Sequence, residues 1–178
     1  MATFTSVSKP GSLNANEQVS ICSRDQDTII GYADRIVMRT FILPHRASFI
    51  LIHNFKMQFY IQKRSSCKDY CPSLLDPFSG GVVGKDESYA QNAKRELEEE
   101  MGMGKIALRT LGPFAFQNTE TFVYGEIFIG EFNGECIIQK EEVEVVYLMT
   151  QQEILQNENL FTPDGYAAFR QYVGIVGE

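Results

Sequence analysis

The amino-acid sequence predicts a layered domain of the α/β or α+β class. Strands surround one central helix, and a second helix lies near the end of the chain. Runs of strand length that are rich in β-branched and aromatic residues recur along the chain, at 47–53, 57–62, 106–111, 122–132 and 143–149. Two segments carry the apolar spacing and the end signals of helices, at 88–102 and 163–173. A chain of 178 residues that is 44% hydrophobic supports one buried core.

The N-terminal part predicts a tail, a hairpin and two strong strands. Residues 1–16 are rich in polar and small residues without periodicity, which indicates a flexible tail before a single domain at 17–178. A hairpin is predicted at 17–22 with 29–31, and one or two helical turns are predicted at 34–41. The two strands are predicted at 47–53 and 57–62. Residues 63–79 predict irregular chain that leads to the loop at Gly80-Gly81.

The segment between Ser88 and Gly102 carries the clearest helix signals. Ser88 with Gln91 three residues later forms the pattern of a capping box, and Gly102 suits the left-handed position after the last turn. Apolar residues three and four apart predict one buried stripe, made of Ala90, Ala93, Leu97 and Met101. Farther on, Thr162 before a proline predicts the N-cap of the C-terminal helix.

Charge and composition argue against several classes of protein. A net charge of −7 disfavours binding to nucleic acid, which needs clustered Lys and Arg, so no nucleic-acid partner is expected. No apolar run approaches the ~20 residues of a membrane span, and the N-terminus lacks the regions of a secretory signal. The four cysteines form no C-x-x-C pair and there are only two histidines, so we expect reduced thiols in a soluble, cytoplasmic protein rather than a zinc site.

Three glutamates of the central helix predict a metal site. On a helical wheel Glu96, Glu99 and Glu100 share one face of about 100°, whereas Glu98 points to the other side. Like charges at these spacings destabilise a helix, and a multivalent cation removes that cost. Mg²⁺ prefers hard oxygen ligands such as these carboxylates, together with substrate phosphates. The alternative is an acidic stripe that only faces solvent.

The sequence around these glutamates resembles the signature of Nudix hydrolases. It reads Gly81-x5-Glu87-x7-Arg95-Glu96-Leu97-x-Glu99-Glu100-x-Gly102-Met103, and all nine defined positions match. The resemblance implies the Nudix fold, a central mixed sheet between helices, with the signature at 81–103 as a loop, helix and loop. It also implies a Mg²⁺-dependent pyrophosphohydrolase, with Mn²⁺ as an alternative metal, that cleaves the diphosphate of a nucleoside diphosphate-X or related small molecule.

The resemblance assigns roles to the residues of this segment. It implies that the Gly81 carbonyl lies near the metal and that Glu99 and Glu100 bind it. Glu96 would bind a further metal or orient and deprotonate the attacking water, held by Arg95. We expect nearby cations to depress the pKa of Glu96. Arg95 would also pair with Glu87, and a purely structural ion pair is an equal reading of that contact.

A looser resemblance relates residues 17–103 to isopentenyl-diphosphate isomerases and the Nudix hydrolases similar to them. It implies that five residues offer positive charge to the substrate's diphosphate, namely His45, Arg46, Lys63, Arg64 and Lys68. A capped strand end is an equal reading of His45, and a solvated side chain is an equal reading of Lys63. The isomerases have a cysteine just ahead of the acidic helix, and residues 76–82 contain none. Hydrolysis is therefore favoured, and an isomerase-like enzyme and a non-catalytic nucleotide-sensing module are the alternatives.

Residues outside the signature are candidates for the general base and for contacts with the part of the substrate beyond the diphosphate. Five glutamates beyond the signature are candidates for a further ligand or base, namely Glu120, Glu126, Glu141, Glu142 and Glu144, and Glu142 is preferred because it precedes the strand at 143–149. Five aromatic residues are candidates for stacking on the substrate or for the core, namely Phe78, Phe114, Phe116, Phe122 and Tyr124. By analogy with relatives, a homodimer is also considered.

Overall fold

The computed structural model describes residues 17–177, and the tail expected at 1–16 lies outside them. Eight strands form one mixed sheet: β1 Gln18–Cys22, β2 Ile29–Asp34, β3 His45–His53, β4 Gln58–Arg64, β5 Leu75–Asp76, β6 Arg109–Gln117, β7 Phe122–Glu131 and β8 Val143–Thr150. Four α-helices and a 3₁₀ turn accompany them: α1 Arg35–Thr40, α2 Tyr89–Met101, α3 Gln151–Leu155, the turn Glu158–Leu160 and α4 Pro163–Val176. No helix within this part of the chain is long and apolar enough to cross a bilayer.

Strand β3 is the centre of the sheet. It runs parallel to β7, from His45 opposite Val123 to His53 opposite Glu131, and β7 pairs with β6 as an antiparallel hairpin. Strand β4 meets β3 near its end and pairs along its length with β8. The segment 79–84 pairs antiparallel with β3 on the edge away from β7, through bridges at Ser79 and Val82. That segment leads directly into α2 and therefore positions the helix on the sheet.

The mixed sheet lies between helices, as predicted. Alternate side chains of β3 enter two separate hydrophobic clusters, because successive residues of a strand point to opposite faces. Ile50 and Ile52 pack with Ala93, Leu97 and Met101 of α2. On the other face, Phe49 and Leu51 pack against Ala168, Phe169 and Tyr172 of α4. Burial on both faces explains why β3 is apolar without alternation.

Helix α2 has the ends that its sequence predicts. Ser88 and Gln91 form the reciprocal capping box, and Gly102 adopts the left-handed conformation with φ of 69°. The predicted stripe is wrong at one position, because Ala90 is exposed and Asn92 is buried instead. The Asn92 amide donates to the Val82 carbonyl at 3.0 Å, so this buried polar side chain ties the helix to the segment before it.

The C-terminal half departs from prediction in three places. The strand expected at 106–111 is β6 at Arg109–Gln117, because Ile106 and Leu108 pack against the α2 cluster from a loop instead. Pro113 is tolerated inside β6 because the strand pairs only with β7. Helix α3 was not predicted. Thr162 is the N-cap residue of α4, as predicted, but its side chain makes no capping hydrogen bond.

Candidate active site

Two glycines allow the close approach of the chain to β3 and to α2. Gly80 has a φ of 138°, and a Cβ there would lie 2.0 Å from the Ser48 carbonyl oxygen. A Cβ on Gly81 would lie 2.7 Å from the carboxylate of Glu96. The Gly81 carbonyl accepts a hydrogen bond from Ser48 N at 3.1 Å. Glycine is therefore needed where the loop passes between the sheet and the first acidic residue of the helix.

A cavity of about 670 Å³ lies beside this loop, between α1, α2 and the chain that follows β4. The three carboxylates predicted as metal ligands, Glu96, Glu99 and Glu100, line it together with Gly81. Glu98 does not line the cavity and accepts a hydrogen bond from Gly104 N at 2.7 Å. The helical spacing thus sorts the acidic run into three residues at the cavity and one that caps the turn after the helix.

Arg95 joins the carboxylates on this side of the cavity. Its Nε and Nη2 donate to the two carboxylate oxygens of Glu87 at 2.9 and 3.0 Å. Its Nη1 lies 2.9 Å from Glu96 Oε1 and 3.1 Å from Glu99 Oε2. The hydrogen bonds that Arg95 donates to Glu87 raise the pKa of Arg95 against the effect of burial, and the charges of the neighbouring carboxylates add to the rise. Arg95 therefore makes both contacts that the resemblance implied, to Glu96 and to Glu87.

Glu100 is the most buried of the acidic residues and has three partners. It is 2% exposed. Gly80 N donates to it at 3.2 Å, the Gln62 amide at 3.3 Å, and the Lys68 ammonium at 3.3 Å. The same ammonium contacts the carboxylate of Glu142. Lys68 thus bridges Glu100 and Glu142 from the loop after β4, although burial opposes its charge.

The electrostatics of Glu96 differ from the sequence-based expectation. Burial and the nearby Glu100 carboxylate together raise the pKa of Glu96 to about 7, against the effect of Arg95. Arg95 by itself does not produce the expected depression of this pKa, because burial beside a second carboxylate outweighs the adjacent guanidinium.

The structure divides the residues expected at the substrate's diphosphate into two groups. His45, Arg64 and Lys68 line the cavity, whereas Arg46 and Lys63 do not. Arg46 donates from Nε to Asp27 Oδ1 at 2.6 Å and holds the turn between β1 and β2. Lys63 pairs with Glu144 at 3.0 Å on the surface.

His45 cannot supply the positive charge expected of it. It is 3% exposed, and its Nδ1 lies 3.0 Å from the Leu43 carbonyl oxygen. Burial, with a further contribution from the Arg39 charge, lowers the pKa of His45 to about 3. That expectation is therefore wrong, since the imidazole is neutral at physiological pH.

Several cavity residues were missed by sequence reasoning, and they lie on α1 and in the irregular segment. Arg35 Nε donates to Asp69 Oδ2 at 3.1 Å, and Arg39 Nε lies 3.6 Å from the same oxygen. The Arg39 guanidinium lies 5.1 Å from the centroid of the Tyr70 ring. The spacing of Arg35 and Arg39, four apart in a predicted helical turn, would have placed both on one face. The segment around Asp69 and Tyr70 carried no such signal.

A pair of aspartates closes the cavity on the side of α4. Arg64 Nη1 lies 3.3 Å from Asp76 Oδ2, and the Tyr70 hydroxyl donates to Asp164 Oδ1 at 3.1 Å. Burial raises the pKa of Asp76 to about 7 even though Arg64 opposes the rise, and burial also raises the pKa of Asp164. A protonated Asp76 leaves less negative charge to compensate the cations beside it.

Of the five glutamates considered as a base, only Glu142 lines the cavity in the described part of the chain. Glu126 accepts from the Thr110 hydroxyl at 2.7 Å on β7, and Glu144 is the partner of Lys63. Among the five aromatic candidates, Phe78 alone lines the cavity. It is 3% exposed and packs edge-on against Phe49, so it belongs to the core as well as to the cavity wall.

The carboxylates do not converge as a finished ligand set. Among residues 17–177, no three His, Cys, Asp or Glu side chains are grouped closely enough to hold an ion. Glu99 is turned to Arg95, and Glu100 to Lys68 and Gly80. A cation at this wall would therefore compete with Arg95 and Lys68 for carboxylate oxygens.

A mixed sheet between helices, with the segment 81–103 as the loop and helix beside a charged cavity, defines a Nudix domain. Residues 43–171 match the family model of the NUDIX domain. The chain thus belongs to the Nudix hydrolase family. It is 35% identical over 156 residues to Uncharacterized Nudix hydrolase YfcD of Escherichia coli K12, covering 88% of this chain and 86% of the relative. Uncharacterized Nudix hydrolase PA4841 of Pseudomonas aeruginosa is 30% identical over 84% of this chain and 89% of its own length.

Solved structures show the same fold at lower sequence identity. DR0079 of Deinococcus radiodurans superposes with a TM-score of 0.77 and 21% identity, covering 87% of this chain and 98% of its own. The NUDIX domain of Shewanella oneidensis NrtR, complexed with ADP ribose, superposes with a TM-score of 0.59 and 15% identity, covering 75% and 86%. These comparisons establish the Nudix fold for this chain.

Proposed function

We propose that this protein is a Mg²⁺-dependent hydrolase that cleaves the diphosphate linkage of a nucleoside diphosphate-X or a related organic pyrophosphate. One observation carries the proposal: three carboxylates of the signature segment share a single cavity with a group of Arg and Lys side chains. The signature segment contributes Glu96, Glu99 and Glu100, and Arg64 and Lys68 with two further arginines line the same cavity. Such a cavity can hold cations and phosphates next to each other.

The charge of the cavity supports the need for a cation. Eight carboxyl groups and five Lys or Arg side chains line it, and His45 adds no charge. A diphosphate is itself an anion, so its binding next to α2 requires added positive charge. Nudix hydrolases generally use divalent metals, and the hard oxygens of Glu96, Glu99, Glu100 and the Gly81 carbonyl fit Mg²⁺ or Mn²⁺ in kind. Bound there, the metal would neutralise phosphoryl oxygens and acidify water.

Each remaining residue has a role that follows from its position. Glu142 would accept the proton of the attacking water, because it is a carboxylate at the cavity outside the signature. Glu96 would orient that water or complete the ligand set. Arg95 would hold the Glu96 carboxylate in place, since its Nη1 lies 2.9 Å from Glu96 Oε1. Lys68 would leave Glu100 and Glu142 and donate to a substrate phosphate, and Arg64 would donate beside it.

The proposal is tested with a panel of substrates incubated with Mg²⁺. Nucleotide sugars, dinucleotide polyphosphates, NADH, coenzyme A and prenyl diphosphates would be analysed by mass spectrometry of the products. In ¹⁸O-labelled water, the label shows which phosphorus is attacked. We expect cleavage of a diphosphate in at least one class and loss of cleavage with EDTA.

The isomerase alternative is an arm of the same experiment. Isopentenyl diphosphate in D₂O should give neither dimethylallyl diphosphate nor deuterium at carbon, because no cysteine lies at residues 76–82. Formation of the allylic isomer, or no hydrolysis of any class at high Mg²⁺, would contradict the proposal.

A further inference from the structure

Arg39 is a mostly buried guanidinium whose hydrogen-bonding capacity is unused. Its side chain is 20% exposed. Its Nε is fully buried and has no hydrogen-bond partner, and within residues 17–177 the guanidinium donates no hydrogen bond at all. Its nearest carboxylate oxygen, on Asp69, lies 3.6 Å away, beyond hydrogen-bond distance. Buried charged groups are normally paired and hydrogen-bonded, so this arrangement calls for a partner.

The neighbouring arginines of the cavity show what a satisfied guanidinium looks like here. Arg64, at 12% exposure, donates to the Tyr70 carbonyl from Nε and Nη2 and to Asp76 from Nη1. Arg35 donates to Asp69 from Nε and Nη2. Arg39 lines the same cavity as both and makes none of these bonds.

The negative charges around Arg39 are also too few to compensate its burial and the positive charges beside it. Burial lowers the pKa of Arg39, and the charges of Arg35 and Arg64 lower it further, while Asp69 and Asp164 only partly compensate. Asp69 is shared with Arg35, whose hydrogen bond helps hold the pKa of Asp69 near 2 despite burial. An anion placed beside Arg39 would therefore gain from three clustered guanidinium groups.

We propose that Arg39 is the centre of a subsite that binds a second anionic group, a phosphate monoester or a carboxylate, on the part of the substrate beyond the diphosphate. This inference rests on the proposed hydrolysis of diphosphates and names a class of substrates for it. The diphosphate belongs at α2, near Glu96 and its neighbours. Arg39 lines the cavity from α1, beside Tyr70, and its nearest carboxylate belongs to Asp69 rather than to α2. A volume of about 670 Å³ accommodates a ligand of the size of a small drug molecule, well beyond a diphosphate alone.

The test uses pairs of diphosphates that differ by one anionic group. Coenzyme A is compared with its dephospho form, NADPH with NADH, and UDP-glucuronate with UDP-glucose. The first two pairs probe a phosphate monoester, and the third probes a carboxylate. Affinity is measured by calorimetry in EDTA, and kcat/KM is measured with Mg²⁺, for the wild type, Arg39→Gln and Lys56→Gln. Lys56 is an exposed lysine in the turn between β3 and β4, so its substitution removes the same charge outside the cavity.

In at least one pair, the wild type and Lys56→Gln should bind the more anionic member about tenfold more tightly or better, as expected for a charge-assisted hydrogen bond. Arg39→Gln should abolish that preference. Its affinity for the less anionic member should stay within about twofold of the wild-type value. The melting temperature of Arg39→Gln should change little, because the substitution removes no hydrogen bond within the described chain and only the ion pair with Asp69 and the contact with the Tyr70 ring are lost.

Equal binding of both members of all three pairs by the wild type would overturn the inference. An equal loss for both members in Arg39→Gln would also overturn it, because that pattern indicates a structural role. The binding preference can be present without any hydrolysis, in which case the subsite stands and the proposed function fails. If diphosphates are hydrolysed but no binding preference is found, the proposed function stands and the subsite fails.

Discussion

Substitution of the three consecutive glutamates by glutamine, one at a time, separates metal binding from folding. Glu98, Glu99 and Glu100 are adjacent in sequence but differ in their surroundings, and glutamine removes the charge at nearly constant size. The side chain of Glu99 is 53% exposed and that of Glu100 is 3% exposed. Glu98 does not line the cavity and accepts a single backbone hydrogen bond, which a glutamine oxygen can also accept.

The structure gives different stability costs for the two cavity residues. Glu99→Gln removes one exposed pair with Arg95 at i, i+4, which is worth about 0.3–0.5 kcal/mol. Glu100→Gln removes a buried partner of Lys68, and this ammonium keeps Glu142, so the cost is about 2 kcal/mol rather than the larger value of a fully orphaned charge. For a domain of this size that cost lowers the melting temperature by about 4–8 °C.

Metal affinity should follow a different order. Substitution of groups that only support a metal ligand typically costs about 10–100-fold in affinity, so loss of a direct ligand should cost at least that much. Glu99→Gln and Glu100→Gln should both weaken Mn²⁺ binding at least tenfold and lower turnover, whereas Glu98→Gln should change neither. Mn²⁺ affinity would be measured by calorimetry, and unfolding free energy by urea titration in EDTA.

The reasoning would be refuted by either of two results. If Glu98→Gln weakens Mn²⁺ binding as much as Glu99→Gln, the assignment of helix faces does not describe the metal site. If Glu99→Gln destabilises the metal-free protein as much as Glu100→Gln, burial does not decide the cost.

Three further predictions follow from the same cavity. Lys68→Met should tighten Mn²⁺ binding by removing a competing cation and should raise KM, and the surface control Lys56→Met should do neither; weaker Mn²⁺ binding would argue against competition. Glu142→Gln should slow turnover with Mn²⁺ affinity unchanged, whereas Glu96→Gln should affect both, and the reverse pattern would make Glu96 the base. The pKa of Asp76 is raised to about 7 by burial, against an ordinary value near 4, so the folded state holds a proton that the unfolded state has released. Unfolding free energy in EDTA should therefore fall as pH rises from about 5 to 8, and Asp76→Asn should make this dependence weaker; an unchanged slope would show that Asp76 is ionised throughout.

The sequence alone determined the features that depend on neighbours along the chain. The capping box at Ser88, the left-handed end at Gly102 and the separation of Glu98 from the other three glutamates follow from helical periodicity, and the structure has all of them. The matched signature likewise predicted the family and the mixed sheet between helices. These features depend on residues three or four positions apart or on a contiguous motif, so local geometry was sufficient.

Only the tertiary structure decided which distant residues share the cavity and which charges they carry. Arg39 and Asp164 lie far apart in sequence, and both line the cavity, where Tyr70 contacts each of them. Burial against that sheet makes His45 neutral and raises the pKa of Glu96, where the sequence suggested a cation and a fully ionised acid. Desolvation and long-range pairing depend on how the whole chain packs, so no local pattern could have predicted them.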